Sequence, residues 1–387
     1  MPTLTPQDHE ALLAMLDNVF FLEDDPADRR EFITLLPKLY KKEYRPWDNN
    51  YCAVEDGAIK GAVGMYVSEL EIAGVPLKLG GIGNVAVARD SRRLGHMKTC
   101  MDEAMAAMKA AGCALGELGG QRQRYQFWGF ERCGAVAEAS FSAKNLRHAF
   151  GENEIAPGWR AAKIEPEDHN ALARVQVLIE SQPIHVRHDP AAFYDILCSW
   201  REVPWAVWEG HELRAVFTLG HDGRGVGQFL LGEAGSLEMS LRCVFSALPE
   251  DVYKSVKLAV PLWQRELLAL AEEISEGVDP DDTGMYTILD WERALGALLA
   301  LQGRCKPLPD GELTVQIDGF CGAETLRLSV ANGIPCVEPF SGSPALTLSH
   351  LEALRFFLAP VSIRRSENAL AQAWFPLPLW LPGLDKV

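Results

Sequence analysis

The chain has 387 residues, 48% hydrophobic and 23% charged, a globular balance that excludes disordered and low-complexity classes and leaves room for two or three domains at roughly 150 residues each. Acidic side chains outnumber basic ones 53 to 37, and the net charge of −16 disfavours nucleic acid or an anionic membrane as partner while drawing in a cationic substrate. Nine dispersed cysteines with no C-x-x-C pair read as free thiols of a reducing compartment, and the opening lacks a basic-then-apolar leader, so a soluble cytoplasmic protein without metal is expected.

Thr5, Pro6 and the apolar face of Leu12, Met15, Leu16, Val19 and Phe20 predict an opening helix. Strands are expected over 51–54, 59–66 and 69–72, with turns at Glu55-Asp56-Gly57 and Gly74, then a longer strand over 77–88. A helix over about 93–111 follows, with Met97, Met101, Ala104 and Met108 on one side and Gly112 as its stop. A short strand over 113–118 ends at Gly119-Gly120. The order gives a mixed α/β (α+β) first domain, 1–150. The second unit, 151–284, shows a helix signal at Asp189-Pro190 and strands over 205–208, 213–219, 228–231 and 255–260. An acidic, turn-rich linker at 277–284 leads to a third unit, 285–387. That unit has a helix after Asp290, strands over 313–317 and 325–330, an Asn332-Gly333 hairpin turn and a Ser349/Glu352 capping box. The apolar tail from Trp374 to Leu384 is interrupted by Pro376, Pro378 and Pro382; it is too short to span a bilayer and should tuck into the core.

The most informative stretch is Val85-Ala86-Val87-Ala88-Arg89-Asp90-Ser91-Arg92-Arg93-Leu94-Gly95-His96-Met97-Lys98. A strand ends, a basic turn follows, and a helix begins at once. Free amides and the dipole at a helix N-terminus attract anions, a glycine lets the backbone approach closely, and the arginines add charge. Such a turn suits a diphosphate; the plain alternative is a solvated strand–helix connection. Just upstream, Gly81-Ile82-Gly83-Asn84-Val85-Ala86 matches the dinucleotide pattern G-x-G-x-x-[GA]. That fingerprint needs a helix to start inside it, whereas here the strand continues, so the match is rejected. Gly223-Arg224-Gly225-Val226-Gly227 lies between two strands and reads as a hairpin loop.

Arg92-Arg93-Leu94-Gly95-His96-Met97 resembles the R/Q-x-x-G-x-G/A signature of the GNAT acetyltransferases, with Met97 where Gly or Ala is usual. Gly119-Gly120-Gln121-Arg122-Gln123-Arg124-Tyr125-Gln126-Phe127-Trp128-Gly129-Phe130 resembles the Y-x-x-x-G-[FY] element that closes such a domain. By order and length of units the whole chain is similar to the enhanced intracellular survival (Eis) type. That resemblance implies an N-terminal GNAT domain, a degenerate GNAT-like second domain and a sterol-carrier-like C-terminal α/β domain. It also implies acetyl-coenzyme A as co-substrate, an amine acceptor and a homo-oligomer, trimeric or hexameric.

Acetyl transfer needs a neutral amine, a polarised thioester and a proton for the leaving thiolate. Backbone amides of Val85, Ala86 and Val87 are candidates to hold the pantetheine arm. Arg92, Arg93, Leu94, Gly95, His96, Met97 and Lys98, with Gly120 and Gln121, are candidates for the rest of the cofactor. Tyr125 is the candidate general acid, against the alternative of a core aromatic. The strand before the phosphate turn carries no carboxylate; Glu117 on its neighbour reads as a surface residue. The Eis resemblance assigns the base to the chain's own C-terminal carboxylate, Val387, with Glu117 or a water as alternatives. His185-Val186-Arg187-His188 has metal-like spacing but no third ligand. Two other functions stay open: a regulator that binds coenzyme A without turnover, and a lipid carrier centred on the C-terminal unit.

Overall fold

A computed structural model describes residues 4–26, 28–151, 154–231, 236–249 and 256–387. The opening helix starts where its polar cap allows. Thr5 Oγ1 donates to Asp8 (2.7 Å), a 3₁₀ turn covers Pro6–Asp8, and helix α1 runs His9–Phe21. Its buried face includes Leu12, Leu16 and Phe21, whereas Phe20 is 44% exposed. Short helices α2 (Phe32–Leu35) and α3 (Pro37–Tyr40) follow.

Three antiparallel strands come next: β1 (Asn50–Glu55), β2 (Ala58–Ile72) and β3 (Val75–Val87). The strands expected over 59–66 and 69–72 are one, because Val67 and Ser68 between them include no Gly or Pro to break the strand. Helix α4 (His96–Ala110) returns the chain to β4 (Leu115–Leu118), which pairs parallel with β3, as a βαβ crossover requires. After α5 (Arg122–Tyr125) comes the short strand β5 (Glu131–Cys133).

Strand pairing crosses the boundaries expected at 150 and 284. Gly284–Ile288 inserts between β4 and β5 in the first sheet, and Ile184–Val186 pairs with the end of β2. Val136–Phe141 is the centre of a separate three-stranded sheet with Val256–Pro261 and Gly277–Asp281; residue 255 lies outside the described residues. The segment expected to be an acidic linker is thus largely strand. Its acidic side chains and Pro280 are tolerated because it lies at a sheet edge. The remaining sheets are four-stranded. One holds Trp159–Lys163, Glu202–Glu209, Glu212–Gly220 and Val226–Leu231; the other holds Gly311–Gly319, Gly322–Ala331, Ile334–Pro339 and Leu346–Ser349.

The largest apolar core joins the ends of the chain. Leu70, Ile72 and Leu79 of the first sheet pack with Trp291 and Leu298 of the helix Trp291–Cys305 and with Phe357, Trp374, Leu377 and Leu381. Asp290 caps that helix by accepting from the Arg293 amide (3.0 Å). The proline-broken tail is therefore core, and its last residues return to the first sheet. Among the described residues no helix is long and apolar enough to cross a membrane.

Candidate active site

The site begins with a gap between strands. β3 and β4 pair only as far as Ile82 and Leu118, after which β3 runs on to Val87 while β4 ends. β3 is also bulged: its register on β2 shifts between Ala62 and Gly64, and Asn84 takes φ +42°, unusual for a residue with a side chain. Asn84 holds that turn by donating to Asn50 Oδ1 (2.8 Å), and Asn50 donates to the Pro46 carbonyl (2.8 Å). A side chain at Gly64 would collide with Asn84, so the glycine is required.

Beyond β3 a 3₁₀ turn covers Arg89–Ser91, and the chain reaches α4 through Arg93 (φ +70°) and Gly95 (φ +90°). α4 therefore starts at His96, three residues later than the pattern suggested, and its first amides are those of His96, Met97 and Lys98. They border a cavity of about 760 Å³ lined by Val85, Val87, Arg92, Arg93, Gly95, His96, Met97 and Lys98, with Phe20 and Trp128 at its edges. Arg92 and Arg93 are exposed. Not every expected cofactor residue lies here. The side chain of Ala86, alternating with Val85 and Val87, is buried against the α1 side; Leu94 is 66% exposed; Gly120 and Gln121 line the adjoining cavity instead.

That second cavity, about 410 Å³, shares Phe20, Val85 and Arg124 with the first. Tyr125 and Val387 both line it. Tyr125 closes α5 and is 5% exposed; Gly120 (φ +134°) leaves room for its ring, since a Cβ there would lie 2.9 Å from Tyr125 Cε2. Burial pushes the Tyr125 phenol above its usual value, and a hydrogen bond from Arg124 partly offsets this, so the hydroxyl keeps its proton at neutral pH. The loop behind it is held from the C-terminal unit. Buried Glu131 accepts from Arg122 (2.9 Å) and from Arg355, and although burial raises its carboxyl, these bonds bring it below the ordinary value. His350 Nε2 donates to the Gly129 carbonyl (3.0 Å), while its Nδ1 accepts from the Phe320 amide (3.0 Å); burial lowers its pKa to about 4.

The chain terminus lies on the face of the first sheet, over Gly81 and Gly83. A Cβ at Gly81 would stand 2.6 Å from Val387 Cγ2, and one at Gly83 would stand 3.4 Å from the Val387 carboxyl carbon. The two glycines that imitate a dinucleotide fingerprint are thus the floor on which the terminus lies. Val387 donates its N–H to Glu117, which is 3% exposed rather than on the surface as its sequence suggested. Burial pushes the Glu117 carboxyl up to about 7, against the pull of Lys386 and Lys38. Lys38 donates to the carbonyls of Lys386 (2.7 Å) and Leu384, and its own burial lowers it to about 8. Further back, His188 bonds Asp385 (2.6 Å), Trp200 Nε1 donates to the Gly383 carbonyl (3.1 Å), and the Ala135 amide donates to the Leu379 carbonyl (3.0 Å). His185 Nδ1 pairs with the Gln182 carbonyl (2.8 Å), and among the described residues no group of three or more His, Cys, Asp or Glu is placed to hold a metal.

Sequence reasoning missed Lys38, Asn84, Trp200 and the burial of Glu117. Each depends on a contact made by a distant segment, and no local pattern marks it.

The splayed strand pair, the bulge, the glycine turn and the helix N-terminus lie within a segment whose family match makes it an acyl-CoA N-acyltransferase domain. Residues 2–131 match the model of the acetyltransferase (GNAT) domain family. Three solved structures share the fold over nearly the whole chain. A probable N-acyltransferase from Enterococcus faecalis V583 is 13% identical with a TM-score of 0.66, covering 98% of this chain and 96% of that one. A GCN5-related N-acetyltransferase from Anabaena variabilis gives 13% and 0.65, covering 98% and 97%. Eis1 from Mycobacterium abscessus gives 13% and 0.61, covering 96% and 95%. No curated protein sequence matches the chain.

Proposed function

We propose that this chain transfers an acetyl group from acetyl-coenzyme A to a primary amine within a ternary complex, with Tyr125 as general acid and the Val387 carboxylate as base. One observation carries the reading: Tyr125 and the chain terminus line one cavity, which shares Val85 and Arg124 with the larger cavity at the start of α4. Acetyl-coenzyme A would supply the thioester carbonyl and a thiolate leaving group. The larger cavity suits it, because Arg92, Arg93 and the first-turn amides of α4 offer cationic and N–H contacts to a diphosphate. The amides of Val85 to Val87, on the stretch of β3 past its pairing with β4, are positioned to hold the arm and polarise the carbonyl.

The residues then divide the proton work. The Val387 carboxylate accepts the proton that the attacking amine gives up as its C–N bond forms. The C–S bond breaks, and the Tyr125 hydroxyl gives its proton to the departing sulfur. Val387 releases its proton to solvent, Tyr125 regains one from solvent, and the products are an amide and a free thiol. In this reading the units 151–284 and 285–387, the latter sterol-carrier-like, shape the acceptor site and anchor the terminus. One coenzyme A binds per chain, and the protein works in the cytoplasm as a homo-oligomer. Thiol release from acetyl-coenzyme A across a panel of primary amines tests the proposal. Amine-dependent release with a matching acetamide product is expected; coenzyme A binding with no turnover on any amine would favour the regulator.

A further inference from the structure

The acceptor cavity has a chemistry of its own. Its wall is aromatic and aliphatic: Phe20, Phe21, Phe32 and Trp200 face it, with Leu35 and Leu36. Among the described residues lining it there is no Asp or Glu side chain. The one negative charge available is the terminal carboxylate of Val387. The two cations are differently placed. Arg30 is spoken for, bonded to Asp24 through Nε (2.8 Å) and Nη2 (3.0 Å) and lying 4.9 Å over the Phe21 ring, while Arg124 sits by Tyr125 at the cofactor end.

Trp200 is the most telling of these residues. It and Arg201 adopt left-handed backbone angles (φ +63° and +60°), which bulky side chains rarely take. The conformation is held at both sides: Trp200 Nε1 donates to Gly383 of the tail, and Arg201 pairs with Asp28 (2.6 Å) in the loop that carries Arg30. The fold thereby presents a large aromatic side chain, still 38% exposed, to the same cavity as the half-exposed Phe20. Apolar surface left uncovered in a concave site is covered on binding.

We propose that the acceptor is a primary amine carried on a single apolar, aromatic body, an arylalkylamine, and that Trp200 is the residue that selects it. The inference rests on the acetyl-transfer reading. One ammonium meets one carboxylate, the ring meets Trp200 and Phe20, and a cavity of about 410 Å³ lies in the smaller part of the range for ligand pockets. A polycation would bring further charges to a wall that has no carboxylate side chain for them and where Arg124 repels them. The overall charge of −16 still steers any amine toward the protein, but steering is not recognition.

The test compares kcat/KM for 2-phenylethylamine, n-propylamine and spermidine in the wild type, Trp200→Ala and Trp200→Phe. The wild type should favour 2-phenylethylamine over spermidine by roughly tenfold or more. Both variants lose the Nε1 bond to Gly383, so the readout is the ratio between amines: W200A should cut kcat/KM for 2-phenylethylamine relative to n-propylamine by roughly tenfold, and W200F, which keeps a ring, should largely restore that ratio. A preference for spermidine, or an equal loss on all three amines, overturns the proposal. If no amine is turned over, the acetyl-transfer reading fails, and calorimetric titration of 2-phenylethylamine and spermidine into protein saturated with coenzyme A decides this one separately. Binding of 2-phenylethylamine alone sustains it; binding of spermidine alone, or of neither amine, overturns it.

Discussion

Replacing Glu117 by Gln probes the ground on which the terminus rests. The side chain keeps its shape and an oxygen to accept the Val387 N–H, but it cannot ionise. Burial moves the Glu117 carboxyl from its ordinary 4.5 to about 7. At about 1.4 kcal/mol for each tenfold, ionising it in the folded chain costs about 3 kcal/mol more than in the unfolded chain. The folded state holds this proton more tightly than the unfolded one, so the contribution to stability is complete below pH 4.5 and is lost as pH rises through 7. The glutamine variant has no such loss. Urea unfolding of both proteins at pH 5 and pH 8.5 should therefore show wild type losing ground to E117Q by up to about 3 kcal/mol at the higher pH. Turnover by E117Q at pH 8.5 should stay within about threefold of wild type, against the roughly 10²–10⁴-fold loss expected had Glu117 been the base. A stability difference that is the same at both pH values would refute the buried, proton-holding Glu117, and a large loss of turnover would move the base to it.

Other consequences are as direct. Changing Arg92 and Arg93 together to Ala removes charge-assisted contacts worth about 1.5–3 kcal/mol each; calorimetry should show coenzyme A affinity down on the order of 100-fold or more, and unchanged affinity would put the diphosphate elsewhere. Tyr125→Phe keeps the ring but deletes the donor, so kcat should fall roughly 10²–10⁴-fold with coenzyme A affinity preserved, and a variant with wild-type kcat would remove Tyr125 from the mechanism. His350 binds a proton near its ordinary 6.5 when unfolded but only near 4 when folded, so its contribution to stability is lost as pH falls from 6.5 to 4. The difference in unfolding free energy between wild type and H350Q should shrink by about 3 kcal/mol over that interval, and a flat difference curve would mean the imidazole is not buried against Gly129 and Phe320.

Elements whose signals are local were legible in the sequence. Asp290 and Ser349 cap the helices they were expected to cap, Asn332-Gly333 turns a hairpin, and the change from alternating to helical periodicity after Val87 locates α4 to within three residues. What was hidden depends on segments far apart in the chain. Gly277–Asp281 looks like a linker because its side chains are acidic and exposed, yet its backbone pairs with Val136–Phe141, and pairing leaves no mark on an edge strand's composition. Gly81 and Gly83 imitate a nucleotide motif because both uses demand the same thing, a backbone that something else can approach closely. Glu117 reads as a surface residue from its type, and only the arrival of Lys38, Lys386 and Val387 around it makes burial tolerable. The aromatic wall around Trp200 is assembled from α1, the loop and helix after it, and a turn some 180 residues later, so no window of sequence contains it.

The most direct test of the whole account leaves every side chain in place. Extending the chain by three glycines past Val387 moves the terminal carboxylate off Gly83 while leaving Tyr125, the α4 turn and the buried tail as they are. With 2-phenylethylamine and n-propylamine as acceptors, kcat/KM of the extended protein should fall roughly 10²-fold or more, while its melting temperature and coenzyme A affinity match the wild type. An extended protein with wild-type kcat/KM on both amines would show that the chain's own terminus is not the base.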